Sequence, residues 1–386
     1  MRRGRIAQAE AFIVGAYEHP ARKLPGTSLA EIHAQVGLGA LADAGLTLAD
    51  VDGYLGSGDA PGGLPAVVDY LGLELSYLDS TDIGGSSYVD LVNKATAAIS
   101  RGECSVALIT MAGRPLTGKR RGPAPDSPFL GYESAYGHSI AGSYALLAQR
   151  HMFEHGTTPE QLAEVKVAAS AHAQHNPHAR LPRVVTVEDV LGSPMIASPL
   201  HRLDCCVITD GGGAVVVVSP DVWRGLGRRG AGILAAASTI DHTRAGRVDL
   251  TKTGARRTGP RALAQAGIVA EDIDYASIYD SFTITVIQTL EDLEFCAPGQ
   301  GGRFVEEGAL RAPHGRLPIN TDGGSLCNNH PGNRGGMPRL IEAVRQLRHE
   351  AHPAVQVPDC ELALVHGTGG HLGTRTGAAT LVLGRP

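Results

Sequence analysis

The sequence predicts an α/β protein built from two copies of one unit, each a β-sheet covered by helices. Three observations predict it: an internal repeat, a glycine-led helix feeding a strand in each copy, and a length of 386 residues. That length exceeds what one ordinary core organises. The repeat is the most informative of the three. Residues 40–52 read Ala-Leu-Ala-Asp-Ala-Gly-Leu-Thr-Leu-Ala-Asp-Val-Asp, and residues 262–274 read Ala-Leu-Ala-Gln-Ala-Gly-Ile-Val-Ala-Glu-Asp-Ile-Asp. In both, an alanine-rich helix runs to a glycine that ends it, and an Asp-aliphatic-Asp step follows.

The elements after each copy match in order. Gly53-Tyr54-Leu55-Gly56 and Ala276-Ser277-Ile278-Tyr279-Asp280 read as strands feeding loops. Gly84-Gly85-Ser86-Ser87 opens a helical pattern (Val89, Leu91, Val92, Ala95, Ala98, Ile99) that leads into the strand Val106–Ile109. Gly332-Asn333-Arg334-Gly335-Gly336 opens another (Leu340, Ile341, Val344, Leu347) that leads into Leu362–Val365. Each copy closes on a strand, 214–218 and 379–383. The alternative is a coincidence between alanine-rich helices. The first half is expected to span 1–225 and the second 226–386. Residues 113–200, rich in histidine and in loop signals, form an inserted segment of the length that usually carries function.

Composition bounds the partners. Apolar residues make 43% and charged residues 19% of the chain, as in folded proteins with an aqueous surface. A net charge of −5 supplies no basic field for nucleic acid. Fifty glycines without a Gly-X-Y period serve turns and close backbone approach. No apolar run approaches the length of a membrane span, and the basic start Met1–Arg5 lacks the apolar core of a secretory signal. The six cysteines include no CxxC pair, which predicts reduced thiols, a cytoplasmic setting and no zinc or disulfide framework.

Four segments compete for the place where ligands bind in such folds, at the junction of strand ends and glycine-led helices. Gly84-Gly85-Ser86-Ser87 offers backbone amides to an anion or a carbonyl oxygen, or is simply a turn. Tyr279-Asp280-Ser281-Phe282 puts polar groups at a strand end, or buries a tyrosine with a satisfied hydroxyl. His330, between Asn329 and Pro331 in a glycine-rich loop beside Cys327, is poorly explained by packing. His366, with Gly369, Gly370 and His371, follows a buried strand directly.

In their order and spacing these segments resemble the thiolase superfamily, in its branch of sterol carrier protein X-type and lipid-transfer-protein-type thiolases. The resemblance covers essentially the whole chain. Ser198-Pro199-Leu200, Leu203-Asp204-Cys205-Cys206 and Thr209-Asp210-Gly211-Gly212-Gly213-Ala214 are similar to the stretch that closes the first half in this branch. Tyr279-Asp280-Ser281-Phe282 falls where thiolases carry Asn-Glu-Ala-Phe. Leu317–Gly324 with His330-Pro331 resembles the Gly-His-Pro loop and its leader, and His366–Gly370 falls at the Cys-x-Gly-Gly-Gly segment. The fold implied is the thiolase fold: two duplicated α/β halves, stacked layers of sheets and helices, and an inserted loop domain.

The departures sharpen the expectation. A thiolase carries a nucleophilic cysteine where a helix start lowers its pKa; the aligned position here is Gly84, within one residue, and the second thiolase cysteine is replaced by His366. The resemblance therefore implies the subgroup of thiolase-like aldolases of steroid side-chain degradation. These keep the apparatus for a CoA-thioester enolate without the nucleophile. It implies Tyr279 or His366 as the base for a β-hydroxyl, Tyr279 and His330 on the enolate oxygen, His366 returning a proton to the α-carbon, and Asp280 orienting its neighbours. Gly84, Gly85, Ser86, Gly369 and Gly370 would bind substrate, and Lys119, Arg120 and Arg121 either hold the CoA nucleotide or are solvated charge. No cofactor or metal is expected on this chain. A homodimer and a small zinc-ribbon/OB-fold partner are implied, with any zinc on that partner. The rival readings are an acyltransferase using Ser86 or Cys327, and a non-catalytic acyl-CoA-binding subunit.

Overall fold

The computed structural model describes residues 7–118, 139–241, 249–332, 335–369 and 377–386. The duplication is written in its hydrogen bonds. The first strand, β1 (Ala11–Glu18), leads to helix α1 (Leu29–Ala44), which starts where the Ser28 hydroxyl accepts from the Glu31 N–H at 3.1 Å. It ends at Gly45, with φ 73°, and the Leu46 N–H reaches back to the Leu41 carbonyl at 2.8 Å. The helix Ala255–Ala266 ends the same way: Gly267 has φ 73°, and Ile268 N–H bonds Leu263 O at 3.1 Å. Only a residue free to adopt left-handed backbone closes a helix in this manner, which is why both copies keep glycine.

The two aspartates after each helix have separate tasks, and both copies repeat them. Asp50 Oδ2 accepts from Thr47 N–H at 2.8 Å, as Asp272 Oδ2 does from Val269 N–H at 3.0 Å, and each stitches a short helical turn. Asp52 then accepts from the N–H groups of Ser105 and Val106 at 2.9 and 2.7 Å. Asp274 likewise accepts from Glu361 and Leu362, both at 2.9 Å. These carboxylates tie the start of β2 (Gly53–Gly56) to that of β4 (Val106–Gly113), and β9 (Tyr275–Ile278) to β10 (Leu362–Gly369).

With α2 (Gly63–Leu71), β3 (Tyr77–Ser80), α3 (Ser87–Ser100), β7 (Gly211–Val218), β8 (Ala231–Ile240) and β11 (Gly377–Gly384), the strands run in the order β3-β2-β4-β7-β1-β8-β11-β10-β9. A separate pair, β5 (Met195–Ala197) and β6 (Leu200–His201), belongs to the inserted segment and its exit. The halves meet where Ala11–Ile13 of β1 pair antiparallel with Ala231–Ile233 of β8, so one nine-stranded sheet passes through both. Its strands mirror each other about that seam: β7 and β11, β4 and β10, β2 and β9 hold equivalent places.

Three apolar clusters show the layering. The first half's outer cluster sets α1 and α2 against its strands through Val36, Leu41, Val67 and Val216. The middle cluster sets α3 and the helix Gly336–Arg348 between the strands of both halves, through Leu91, Val92, Leu340, Val344, Val217 and Val365. The second half's outer cluster joins the helices Ala255–Ala266 and Thr283–Asp292 to the helices Ile140–His155 and Pro159–Ala173. The segment inserted in the first half therefore packs on the second, with Leu147, Leu162 and Val165 beside Ile287 and Leu290. No helix among the described residues is long and apolar enough to cross a membrane.

Candidate active site

The two helices of the middle layer begin side by side, and the end of β9 delivers Tyr279 between their starts. The ring is 5% exposed. A Cβ on Gly85, just before α3, would stand 2.7 Å from Tyr279 Cε1, and one on Gly335, before the helix Gly336–Arg348, would clash with Cε2. The two glycine-rich segments thus make room for one phenol ring. The backbone holds it in turn, since Tyr279 N–H donates to the His366 carbonyl at 3.0 Å.

His330 meets this ring from the following loop. The phenol oxygen lies 2.5 Å from His330 Nε2, and the rings are stacked with centroids 5.6 Å apart at 28°. Burial holds the Tyr279 pKa well above its ordinary value, and the Cys206 thiol adds to this. Burial, with the Arg339 charge, lowers the His330 pKa to about 4. At neutral pH both groups are uncharged, so the phenol donates and Nε2 accepts, which leaves the imidazole proton on Nδ1.

Asp280 does not join the pair. Its carboxylate is fully buried and accepts from the Ser325 and Leu326 N–H groups at 2.7 and 3.1 Å. Its pKa is raised, chiefly by burial. The turn that it caps, Gly324–Asn328, leads directly into His330, and a side chain on Gly324 (φ 63°) would displace the carboxylate. Asp280 is therefore a support of the loop that delivers His330.

His366 is a correction. Strand side chains alternate between faces, and on β10 Ala363 and Val365 belong to the middle layer while Leu362 and Leu364 face the second half's outer helices. His366 shares the outer face. Its Nδ1 is 2.8 Å from Thr380 Oγ1 and its Nε2 is 3.2 Å from Thr368 Oγ1; Thr380 in turn meets Thr258. Fully buried, with its pKa lowered to about 3 by that burial, it turns its ring away from Tyr279 and cannot serve as base or return a proton to the α-carbon.

The expected binding glycines also change role. A side chain at Gly369 would run into the Ile83 carbonyl and the Ser86 hydroxyl, and one at Gly367 would stand 2.8 Å from Ser86 Cα. Gly367, Gly369 and Ser86 thus form a close backbone junction between β10 and α3, while Gly85 borders the Tyr279 ring and Gly84 takes left-handed backbone with φ 66°. Ser86 is fully buried and donates to Ile83 O at 2.7 Å, and no base meets its hydroxyl among the described residues. Cys327 is equally buried, and burial raises the pKa of all six thiols. Gly370, His371, Lys119, Arg120 and Arg121 lie outside the described residues.

Sequence reasoning missed what stands behind His330. Thr209 Oγ1 accepts from the His330 N–H at 2.9 Å and donates to Asn329 Oδ1 at 2.6 Å; Asn329 Nδ2 donates to Glu18 Oε1 at 2.7 Å. Asn328 donates to Asp322 at 2.8 Å, and Asp322 takes both nitrogens of fully buried Arg339 at 2.9 and 2.7 Å. No local signal marks Glu18, which lies 311 residues from Asn329 in sequence. Two surface hollows, of about 640 Å³ beside Arg150 and Lys252 and about 690 Å³ beside Arg303 and Arg311, are lined by neither Tyr279 nor His330.

Comparison with known proteins finds relatives for nearly the whole chain. Residues 236–385 match a family described as Thiolase C-terminal domain-like. An acetyl-CoA acetyltransferase of Methanothermobacter thermautotrophicus is 33% identical over 384 residues, covering 95% of this chain and 97% of the relative. A 17-hydroxy-3-oxo-4-pregnene-20-carboxyl-CoA lyase of Mycobacterium tuberculosis is 34% identical over 363 residues, covering 89% of this chain and 92% of the relative. A solved structure described as an Ltp2-ChsH2(DUF35) aldolase superposes with a TM-score of 0.88 at 33% identity, over 97% of each chain.

Proposed function

We propose that this chain, which belongs to the thiolase superfamily and to its sterol-carrier-protein-type branch, is a carbon–carbon lyase that cleaves a β-hydroxyacyl-CoA by retro-aldol chemistry. The observation that carries the reading is the neutral phenol–imidazole pair at the starts of the two middle helices. Tyr279 takes the proton of the substrate β-hydroxyl as its own proton passes to His330 Nε2. The β-carbon becomes a carbonyl, and the Cα–Cβ electrons move into the enolate of the CoA thioester. The proton on His330 then returns through Tyr279 to Cα, releasing a ketone or aldehyde and a short acyl-CoA. No covalent enzyme intermediate and no cofactor enter the balance; among the described residues the start of α3 carries no cysteine, and its Ser86 hydroxyl donates to a backbone carbonyl.

A steroid side chain is the substrate class this reading favours, because the lyase relative is named for a pregnene carboxyl-CoA and the aldolase neighbour shares the whole fold. The partner favoured is a DUF35-type subunit, which would carry any zinc. A homodimer would form at β3. The outer edge of β9 is covered by residues 317–320, whereas β3 pairs only with β2 among the described residues and exposes Leu78. Sedimentation of the purified chain should give a dimer, and Leu78→Lys should weaken it; a monomer at micromolar concentration would contradict this arrangement. All six cysteines are free, as a cytoplasmic protein would keep them.

The decisive assay follows a tertiary β-hydroxyacyl-CoA by mass spectrometry, with and without the DUF35-type partner. Release of ketone and short acyl-CoA without added CoA is the expected result. Products that appear only with free CoA would instead mean acyl transfer, and binding without turnover would mean a non-catalytic subunit.

The pH profile offers a second check. An ordinary histidine loses its charge near about 6.5, but burial keeps His330 neutral down to about 4. The proton-accepting form therefore persists below neutrality and is lost only as pH falls through that lower value. Tyr279 is held well above its ordinary value, so no tyrosinate forms in the working range. Turnover should stay level from mildly acidic to mildly alkaline pH. An inflection at the ordinary histidine pKa would count against the scheme.

A further inference from the structure

We propose that Thr209, itself held by Asn329 and Glu18, is a positioning residue that sets the His330 imidazole against Tyr279. The inference rests on the retro-aldol reading above and adds to it the device that aims the imidazole.

His330 is half-buried and sits in a loop, so the place from which its ring reaches Tyr279 depends on how firmly its backbone is held. Thr209 grips it at both peptide groups. The Thr209 hydroxyl accepts from the His330 N–H at 2.9 Å, and the Thr209 N–H faces the His330 carbonyl at 3.4 Å. The hydroxyl has one hydrogen, and Asn329 Oδ1 receives it at 2.6 Å, so a lone pair of Oγ1 faces the His330 N–H. Asn329 is oriented in turn, because its amide donates to Glu18 Oε1 at 2.7 Å, which leaves its oxygen towards Thr209. Glu18 is the fixed end. Its side chain is 5% exposed and ion-paired with Arg22 at 3.1 Å, with Arg345 at 3.8 Å.

Every member of this chain is enclosed: Thr209 and Asn329 are fully buried. A buried polar chain of this kind holds one arrangement, because each alternative leaves a donor or acceptor unpaired. It also spans the molecule. Glu18 ends β1, Thr209 precedes β7, and Asn329 and His330 belong to the second half's loop, so the first half aims a residue of the second.

The test uses Thr209→Val, which keeps the shape and removes the hydroxyl, beside Thr209→Ser, which keeps the hydroxyl. In the complete enzyme with its partner, kcat for Thr209→Val should fall by about 10²-fold, the loss a misplaced catalytic group incurs, with KM little changed. Thr209→Ser should recover most of it. Placed in a His330→Ala background, Thr209→Val should cause almost no further loss, because its effect passes through the imidazole. The residual rate there is read as exchange of α-hydrogen between a short acyl-CoA and D2O, followed over hours. Should Thr209→Val not fold, Thr209→Cys, whose thiol is a weak donor and acceptor, carries the same comparison. Near-normal kcat in Thr209→Val would overturn the positioning role, and so would an equal loss with and without His330. Failure of the retro-aldol reading looks different: His330→Ala would then keep wild-type turnover, or the intact enzyme would neither cleave nor exchange.

Discussion

Tyr279→Phe is expected to lower kcat by about 10³-fold, within the range for loss of a positioned acid–base group, with little change in stability. The substitution removes one oxygen. The ring that fills the space between Gly85 and Gly335 remains, so the packing of the two middle helices is preserved. What is lost is the oxygen that meets His330 Nε2 and, in the proposed reaction, takes the proton of the substrate hydroxyl. Because the phenol stays neutral, the role proposed for it is to pass a proton on, and phenylalanine cannot do so. The measurement is steady-state cleavage with thermal melting as the folding control. A variant that melts normally and turns over within a few-fold of wild type would remove Tyr279 from the mechanism.

His330→Ala should cost about 10²-fold in kcat, somewhat less than Tyr279→Phe, since a phenol left in place can still exchange protons with water. The loss of stability is modest: the Tyr279 hydroxyl, in a 5%-exposed site, loses its acceptor, which is worth about 1–3 kcal/mol when unsatisfied. The double variant is the informative one. If the proton passes from substrate to Tyr279 and then to His330, removing both should be hardly worse than removing Tyr279 alone, because groups acting in series are not additive. Multiplicative losses would mean that His330 acts on the substrate by a separate route, such as a direct hydrogen bond to the enolate oxygen.

Part of this site is legible in the order of residues alone. His330 stands out because packing explains it poorly, while Tyr279 reads equally as a polar group at a strand end or as a buried tyrosine with a satisfied hydroxyl. The fold brings them to 2.5 Å of each other. Asp280 reads as an orienting group, and its carboxylate holds the turn that delivers His330. His366 is equally promising in one dimension, since it follows a buried strand and precedes glycines. Its direction is set by parity along β10, and one residue of difference in register decides between the reaction face and the packed face. The glycines mislead for a related reason. Gly369 could equally open a cradle or permit a close contact, and only the atoms opposite it, Ile83 O and Ser86 Oγ, distinguish the two.

By itself the sequence determined the duplicated architecture, because its signals are local. A glycine that ends a helix, an aspartate that stitches the next turn and a second aspartate that ties two strands act within a few residues or along one strand pair, and both copies spell them out. The tertiary structure alone decided that one sheet runs through both halves by way of β1 and β8, and that the inserted helices cover the opposite half. It alone decided which side chains meet Tyr279, and that a glutamate 311 residues from Asn329 anchors the loop that carries His330. Those outcomes depend on strand register and on the pairing of buried polar groups. Both are properties of surfaces brought together, with no trace in the order of residues along either one.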